Sequence, residues 1–113
     1  MQTQHIEEIK EKLRPIFERE PVYRAVLFGS YARGEETEQS DVDLVIDSHG
    51  HLVNINFYGL LEDITEALKK EIDLFEIVDI KNNRDFLNSV EREGIVLYEK
   101  QGSHRFAETE QLH

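Results

Sequence analysis

Two apolar runs separated by a polar loop constrain this chain more than any other feature. Residues 27–45 read LFGSYARGEETEQSDVDLV, in which the first run ends at Gly29 and Ser30 and the second begins with Asp41 and Asp43. Side chains alternate between the two faces of a strand, so an extended second run projects both acids from one face and turns its apolar residues to the core. We predict a strand, a tight turn and a second strand that carries two carboxylates side by side.

Each half of this stretch has a chemical use. Two carboxylates held this close repel each other unless a cation lies between them, and hard divalent ions such as Mg²⁺ bind carboxylate oxygen together with phosphate oxygen. Gly29 lets the backbone turn sharply, and Ser30 can cap a short helix whose free N–H groups favour an anion. The stretch therefore predicts a site for a metal ion and phosphate groups.

Two half-motifs on this stretch resemble those of a known family. They match the GSxARG…SDxDL motif of minimal nucleotidyltransferases, which are small members of the DNA polymerase β-like superfamily, through Gly29-Ser30, Ala32-Arg33-Gly34 and Ser40-Asp41-Val42-Asp43-Leu44. The match is specific because both halves occur at a suitable spacing between apolar strands, whereas a lone DxD or GS would mean little. The resemblance extends over 22–98 and implies a polymerase β-like nucleotidyltransferase core.

Three carboxylates are the candidate catalytic and metal-binding residues. The resemblance implies that a hydroxyl attacks the α-phosphate of ATP while pyrophosphate leaves, with two Mg²⁺ ions stabilising the charge on both oxygens. Asp41 and Asp43 would bridge the two ions. Asp73, near the start of the apolar run 72–78, matches the family's third carboxylate and would complete the ion beside the attacking hydroxyl. The alternative for Asp73 is an exposed acid at a strand end.

The candidate nucleotide-binding residues are Gly29, Ser30 and Arg33. In the family reading, the Ser30 hydroxyl and the amides after Gly29 hold the β- and γ-phosphates. Arg33 is equally well explained as a phosphate contact and as a solvated helix residue. We therefore expect ATP as the substrate, with its phosphates held at the turn and its metal ions held by the second strand.

Charge and cysteine content limit the partners, the kinds of site and the location that we expect for this chain. The chain has 24 acidic and 13 basic residues and a formal net charge of −11, which argues against direct binding of nucleic acid and favours a basic partner. It has no cysteine, so disulfides and thiolate zinc sites are excluded. No apolar run approaches membrane-spanning length and the first residues do not resemble a signal peptide, so we expect a cytoplasmic protein without membrane contact.

Hydrophobic spacing predicts the remaining elements. They are an amphipathic helix from Ile6 to Phe17, kinked at Pro15 or followed there by a second short helix; a strand over 22–28; a short helix from Ser30 that ends at Gly34; a helix over about 56–70; a strand over 72–78; a helix that begins at Asn82 or Asn83 and ends at Gly94; and a last strand over 95–98. We expect Glu76 and Asp79 to be surface acids.

These elements predict an α/β (α+β) fold, with a small mixed sheet, helices mainly on one face and the site on the exposed face. A chain of 113 residues is long enough for one core. We assign residues 1–98 to a single nucleotidyltransferase domain. Residues 99–113 are polar and form a tail that we expect to be flexible on its own.

The same length bears on the substrate, because family members that modify antibiotics add a helical domain that is not visible here. Stand-alone minimal nucleotidyltransferases are commonly antitoxins paired with a HEPN ribonuclease toxin. The resemblance then implies transfer of AMP from ATP to a tyrosine hydroxyl of that toxin, in a hetero-oligomer. Two alternatives stay open: neutralisation of the toxin by binding alone and, with less support, nucleotidyl transfer to a small molecule or RNA.

Overall fold

The computed structural model describes residues 2–100, with side chains from His5 onward. In chain order its elements are α1 (Gln2–Arg19), β1 (Arg24–Phe28), α2 (Ser30–Arg33), β2 (Val42–Asp47), α3 (Ile55–Leu68), β3 (Ile72–Glu76), α4 (Ile77–Ile80), α5 (Arg84–Glu93) and β4 (Ile95–Glu99). The strands form one sheet in the order β3-β2-β1-β4. β1 is antiparallel to β2 and β4, whereas β2 and β3 are parallel. This mixed α/β sheet confirms the predicted fold class.

Both faces of the sheet carry an apolar layer. The larger layer joins α1 and α3 to alternate residues of β1 and β2, and includes Leu13, Phe17, Leu27, Leu44 and Ile64. The smaller layer lies on the opposite face and consists of Val26, Val45, Ile77, Leu87 and Val90, the last two from α5. The two longest helices therefore share one face, as predicted, while α5 covers part of the face that carries the acids.

Most predicted elements are present within a few residues of their predicted ends. The helix predicted over 56–70 is α3, and the left-handed conformation of Lys69 ends it at Leu68. Asn83 caps α5, because the Phe86 amide donates to its Oδ1 at 3.1 Å. Of the predicted tail, Glu99 belongs to β4, and residues 101–113 lie outside the described part of the chain. No helix within residues 2–100 is long and apolar enough to cross a membrane.

Of the two outcomes predicted at Pro15, the second short helix is wrong, and the kink stays a prediction. A single helix runs through the proline, and no second helix begins there. Proline removes one backbone hydrogen bond from a helix interior. Ile16 and Phe17, which follow it, are buried in the larger apolar layer. We attribute the continuity of the helix to this packing, which holds its last turn on the sheet.

The strand predicted over 72–78 ends at Glu76, because the Glu76 side chain caps the helix that follows. Its carboxylate accepts the Ile77 amide at the start of α4 and both the hydroxyl and the amide of Ser48, at 2.6 and 3.1 Å. Glu76 is only 2% exposed, so its prediction as a surface acid is wrong, whereas Asp79 is exposed as predicted. The hydrogen bonds to Glu76 join the end of β2 to the end of β3 and satisfy a buried carboxylate.

Candidate functional site

The antiparallel pairing of β1 with β2 brings the two halves of the motif together. Phe28 is the register partner of Asp43, so Gly29 lies against the Asp43 side chain. A Cβ atom placed on Gly29 would overlap Asp43 Oδ2. Gly29 also has φ 76°, a conformation that residues with a side chain rarely adopt. Glycine at this position therefore serves both the turn and the close approach of backbone to carboxylate.

The short helix α2 begins one residue away from the predicted place. Gly29 occupies the N-cap position, and Ser30 is the first helical residue, so the prediction that Ser30 caps the helix is wrong. The left-handed turn of Gly29 sets the entry to the helix without a capping side chain. The Ser30 side chain lines the cavity described below. Gly34, with φ 76°, ends α2 as predicted.

The parallel pairing of β2 with β3 places two predicted acids side by side. Asp43 and Asp73 are register partners, and the Asp43 carboxyl, when protonated, can donate a hydrogen bond to Asp73. Burial raises the pKa of Asp43 to about 6, with further contributions from the hydrogen bond and charge of Asp73 and from the charge of Asp41. Because β3 is an edge strand, Asp73 is exposed, and Asp41 is exposed just before β2.

A cavity of about 520 Å³ opens at this end of the sheet. All six candidate residues line it: Gly29, Ser30, Arg33, Asp41, Asp43 and Asp73. The turn after β1 forms one side, and the carboxylates of β2 and β3 lie next to it. The structure thus brings the two predicted groups of residues to one opening.

The residues of the far wall of this cavity were not predicted from the sequence. Phe86, Ser89, Val90 and Glu93 of α5 line it together with Phe28 at the end of β1. The apolar spacing of α5 indicates a helix packed on the core, and it does not tell which face of the sheet that helix covers. Phe86 and Ser89 lie within one turn of α5. This combination of an apolar and a polar side chain was the signal in the sequence, because the same side of α5 packs on the core and lines the cavity.

Arg33 is the only basic residue among the described residues that line the cavity. Its Nε donates to Glu35 Oε1 at 3.0 Å, and this hydrogen bond raises the pKa of the guanidinium. Glu93 and Asp43 raise the same pKa through their charges. Arg33 therefore lies at the mouth of the cavity and pairs with an exposed acid. A phosphate group could compete with this acid for the guanidinium.

The carboxylates of Asp41, Asp43 and Asp73 are the type of ligand that a hard divalent cation prefers. Carboxylate oxygens are the ligands that Mg²⁺ takes together with phosphate oxygen. The raised pKa of Asp43 reflects neighbouring negative charge that a cation would relieve. Within residues 2–100, however, no three acidic or imidazole groups already enclose a point where an ion could sit. The site offers two adjacent acids, Asp43 and Asp73, with the exposed Asp41 close enough to add its charge.

Comparison with known proteins places this geometry in a family. The family model described as "Polymerase beta, Nucleotidyltransferase" matches residues 11–103. Two similar proteins come from Methanocaldococcus jannaschii. "Putative protein adenylyltransferase MJ0435" is 39% identical over 70 residues, which cover 62% of this chain and 75% of that protein. "Putative protein adenylyltransferase MJ0128" is 35% identical over 81 residues, covering 68% and 83%.

Two solved structures share the fold. A chain from a toxin-antitoxin crystal structure with AMP-PNP superposes with a TM-score of 0.69 at 23% identity, covering 81% of this chain and 74% of that chain. A chain from a complex of the tri-AMPylated Shewanella oneidensis HEPN toxin with an MNT antitoxin gives 0.59 at 22% identity, covering 99% and 79%. Family model, relatives and fold agree with the predicted resemblance, and the chain belongs to the polymerase beta nucleotidyltransferase family.

Proposed function

We propose that this chain is an antitoxin that transfers AMP from ATP to a tyrosine hydroxyl of a partner HEPN ribonuclease toxin. The observation that carries the proposal is the single opening where the Gly29 turn faces Asp43 and Asp73. The relatives are named as protein adenylyltransferases, and these names support the reaction. The toxin-antitoxin complexes among the structural neighbours support the partner.

The reaction exchanges one phosphorus–oxygen bond for another. The tyrosine oxygen bonds to the α-phosphorus, the bond between that phosphorus and the pyrophosphate oxygen breaks, and the phenolic proton is released. Mg²⁺, two ions in this proposal, neutralises phosphate charge and lowers the pKa of the attacking hydroxyl when bound. Asp41 and Asp43 would hold both ions, and Asp73 would hold the one beside the hydroxyl.

The other side of the cavity binds the phosphates. The Ser30 hydroxyl and the amides after Gly29 would donate to the β- and γ-phosphates, and Arg33 would leave Glu35 to pair with them. Gly29 is needed here because a side chain would fill the space next to Asp43. These groups orient the triphosphate so that pyrophosphate points away from the acceptor.

The exposure of Asp73 supports a macromolecular acceptor. Asp73 lies on an edge strand, so a hydroxyl carried by another molecule can reach it from the open side of the sheet. The net charge of −11 favours a basic protein surface over nucleic acid. A toxin tyrosine presented from outside therefore fits the site better than an RNA end does.

Silencing of the ribonuclease at low antitoxin ratios tests this proposal. With Mg²⁺ and ATP, we expect one chain to inactivate many toxin molecules, because a catalyst turns over. Inactivation that needs one chain per toxin and does not depend on ATP would show neutralisation by binding alone. A matched control is Asp79→Asn, which removes an exposed acid that does not line the cavity and should leave turnover intact.

A further inference from the structure

The end of the sheet opposite the cavity carries three exposed apolar side chains. Val53, Ile55 and Tyr58 are 52%, 81% and 65% exposed, and we refer to them as the apolar patch. Ile55 and Tyr58 are three residues apart at the start of α3, so their side chains project from the same side of the helix. Val53 immediately precedes them, and its carbonyl accepts the Asn56 amide at 3.1 Å. Grouped exposure of this kind marks an interaction surface more often than scattered exposure does.

Buried hydrogen bonds and a buried leucine anchor the loop that presents the apolar patch. Ser48 Oγ donates to the buried Glu76 at 2.6 Å and accepts the Leu52 amide at 3.1 Å. Leu52 is only 3% exposed and belongs to the larger apolar layer. Val53 therefore follows directly after an anchored residue, and its exposure is a consequence of the fold.

Two residues of this loop adopt a conformation that side chains disfavour. His49 has φ 53°, with its ring stacked on Tyr23 at 3.7 Å between centroids. Asn54, just before α3, has φ 53° and ψ −125°. Strain of this kind persists only where the surroundings impose it, and it is concentrated at functional segments. Together with the buried anchor, it indicates a loop built to hold its apolar residues outward.

The charge pattern indicates what covers this surface. Residues 48–61 contain no Asp, Glu, Lys or Arg, although the whole chain has 24 acidic and 13 basic residues. Glu62 lies one helical turn after Tyr58, is exposed and makes no ion pair with any residue in 2–100. A second copy would bring two chains of charge −11 together, which opposes self-association. The occupant that fits is a different protein, apolar at the centre of its contact and basic where it meets Glu62.

The apolar patch is separated from the reaction site by the length of the sheet. Asp41, Asp43 and Asp73 lie at the starts of β2 and β3, whereas the patch follows the end of β2. A strand of six residues spans about 20 Å. A protein bound at the patch therefore leaves the cavity open.

We infer that the apolar patch is a docking surface for the acceptor protein, separate from the place where its tyrosine reacts. The inference rests on the proposed function for the identity of that protein. Docking at one end of the sheet keeps the acceptor near the cavity, so the local concentration of its tyrosine rises without any contact at the acids. Binding and transfer then depend on different residues of the same chain.

The test separates the two ends with variants. Ile55→Ser combined with Tyr58→Ser removes the apolar contact at two exposed positions, so the melting temperature should stay near that of wild type. Calorimetry with the purified HEPN toxin should show at least tenfold weaker binding. AMP transfer to a short peptide that contains the acceptor tyrosine should keep its wild-type rate. Glu66→Ser, on the same helix and with a side chain 76% exposed, is the control and should bind like wild type.

Each outcome supports or contradicts the docking surface or the proposed enzymatic function. Unchanged toxin affinity in the double variant, or failure of wild type to bind the toxin, would overturn the docking surface. A wild-type dimer that the double variant dissolves would overturn it in favour of a second copy. Patch-dependent toxin binding without AMP transfer to toxin or peptide would retain the docking surface and remove the proposed enzymatic function. Glu62→Gln should in addition reduce the salt dependence of toxin binding, because one rim charge is lost.

Discussion

Asp43 and Asp73 lie side by side as register partners on two parallel strands, and the charge of Asp73 helps to raise the pKa of Asp43. Two carboxylates in contact are a poor arrangement for stability, since at neutral pH both tend to ionise. Their proximity is expected to lower stability, as it would if the proposed reaction requires both acids.

Replacing Asp73 with Asn should separate stability from activity. The variant removes one charge from the pair, so we expect the melting temperature at pH 8 to rise by about 2–4 °C. AMP transfer should fall at least a hundredfold, because a ligand of the proposed metal site is lost. Thermal unfolding and a transfer assay on the same preparation check both. A variant that is less stable than wild type at pH 8 would contradict the repulsion on which this reasoning depends.

Gly29→Ala should abolish ATP binding, because its Cβ would overlap Asp43 Oδ2. Gly50→Ala is a matched control, since Gly50 has nearly the same φ, 78° against 76°, and nothing within 4 Å of an added Cβ. Both variants should lose about 1 kcal/mol of stability through backbone strain, and Gly29→Ala should lose more because its Cβ also overlaps Asp43. Titration with Mg²⁺ and ATP should then show no binding for Gly29→Ala and wild-type affinity for Gly50→Ala. Equal affinity in the two variants would mean that the space beside Asp43 is not used.

Filling the cavity from α5 tests whether the nucleotide lies there. Ser89→Tyr places a bulky side chain on the cavity wall, so we expect ATP affinity to fall at least tenfold. Asn88→Tyr adds the same side chain at the neighbouring exposed position, which does not line the cavity. Calorimetry with Mg²⁺ and ATP compares the two variants. If both bind ATP like wild type, the α5 wall takes no part in nucleotide binding.

The buried Glu76 should make stability depend on pH. Burial raises its pKa from 4.5 to about 7 in the folded chain, against hydrogen bonds from Ser48 and Ile77 that favour ionisation. The folded chain therefore holds a proton that the unfolded chain releases between these values, so stability falls as pH rises from about 4.5 to 7. The loss attributable to Glu76 is on the order of 2–3 kcal/mol.

Glu76→Gln isolates this effect, because its amide can still accept the backbone N–H groups and donate to the Ser48 hydroxyl. Denaturant unfolding at pH 5 and pH 8 should show wild type losing stability relative to Glu76→Gln at the higher pH. Glu66→Gln, at an exposed position, should follow wild type at both. Parallel behaviour of wild type and Glu76→Gln would mean that Glu76 keeps an ordinary pKa.

The sequence was sufficient for the half of the site that strand geometry determines. Alternation along β2 put Asp43 on one face and Val42 and Leu44 in the core, and both apolar residues are fully buried. Pairing with β3 then brought Asp73 beside Asp43, as the family motif implied.

Long-range packing decided what could not be predicted. The spacing of α5 is the same whether it covers a core or lines a cavity, so its wall residues were missed. Glu76 looks like a surface acid until Ser48, 28 residues earlier, is placed beside it. Pro15 interrupts helices by its local chemistry, yet the burial of Phe17 holds the helix together. In each case a distant contact outweighed a local preference.

The central claim is tested most directly by following the α-phosphate of ATP. The chain is mixed with the HEPN toxin, Mg²⁺ and ATP labelled at the α-phosphate, and both proteins are then measured by intact mass and peptide mapping. We expect AMP-sized additions on a toxin tyrosine with wild type and none with Asp43→Asn, which should still bind the toxin. An unlabelled toxin that is nevertheless neutralised by both proteins, or label recovered in RNA or in a small molecule, would contradict the account.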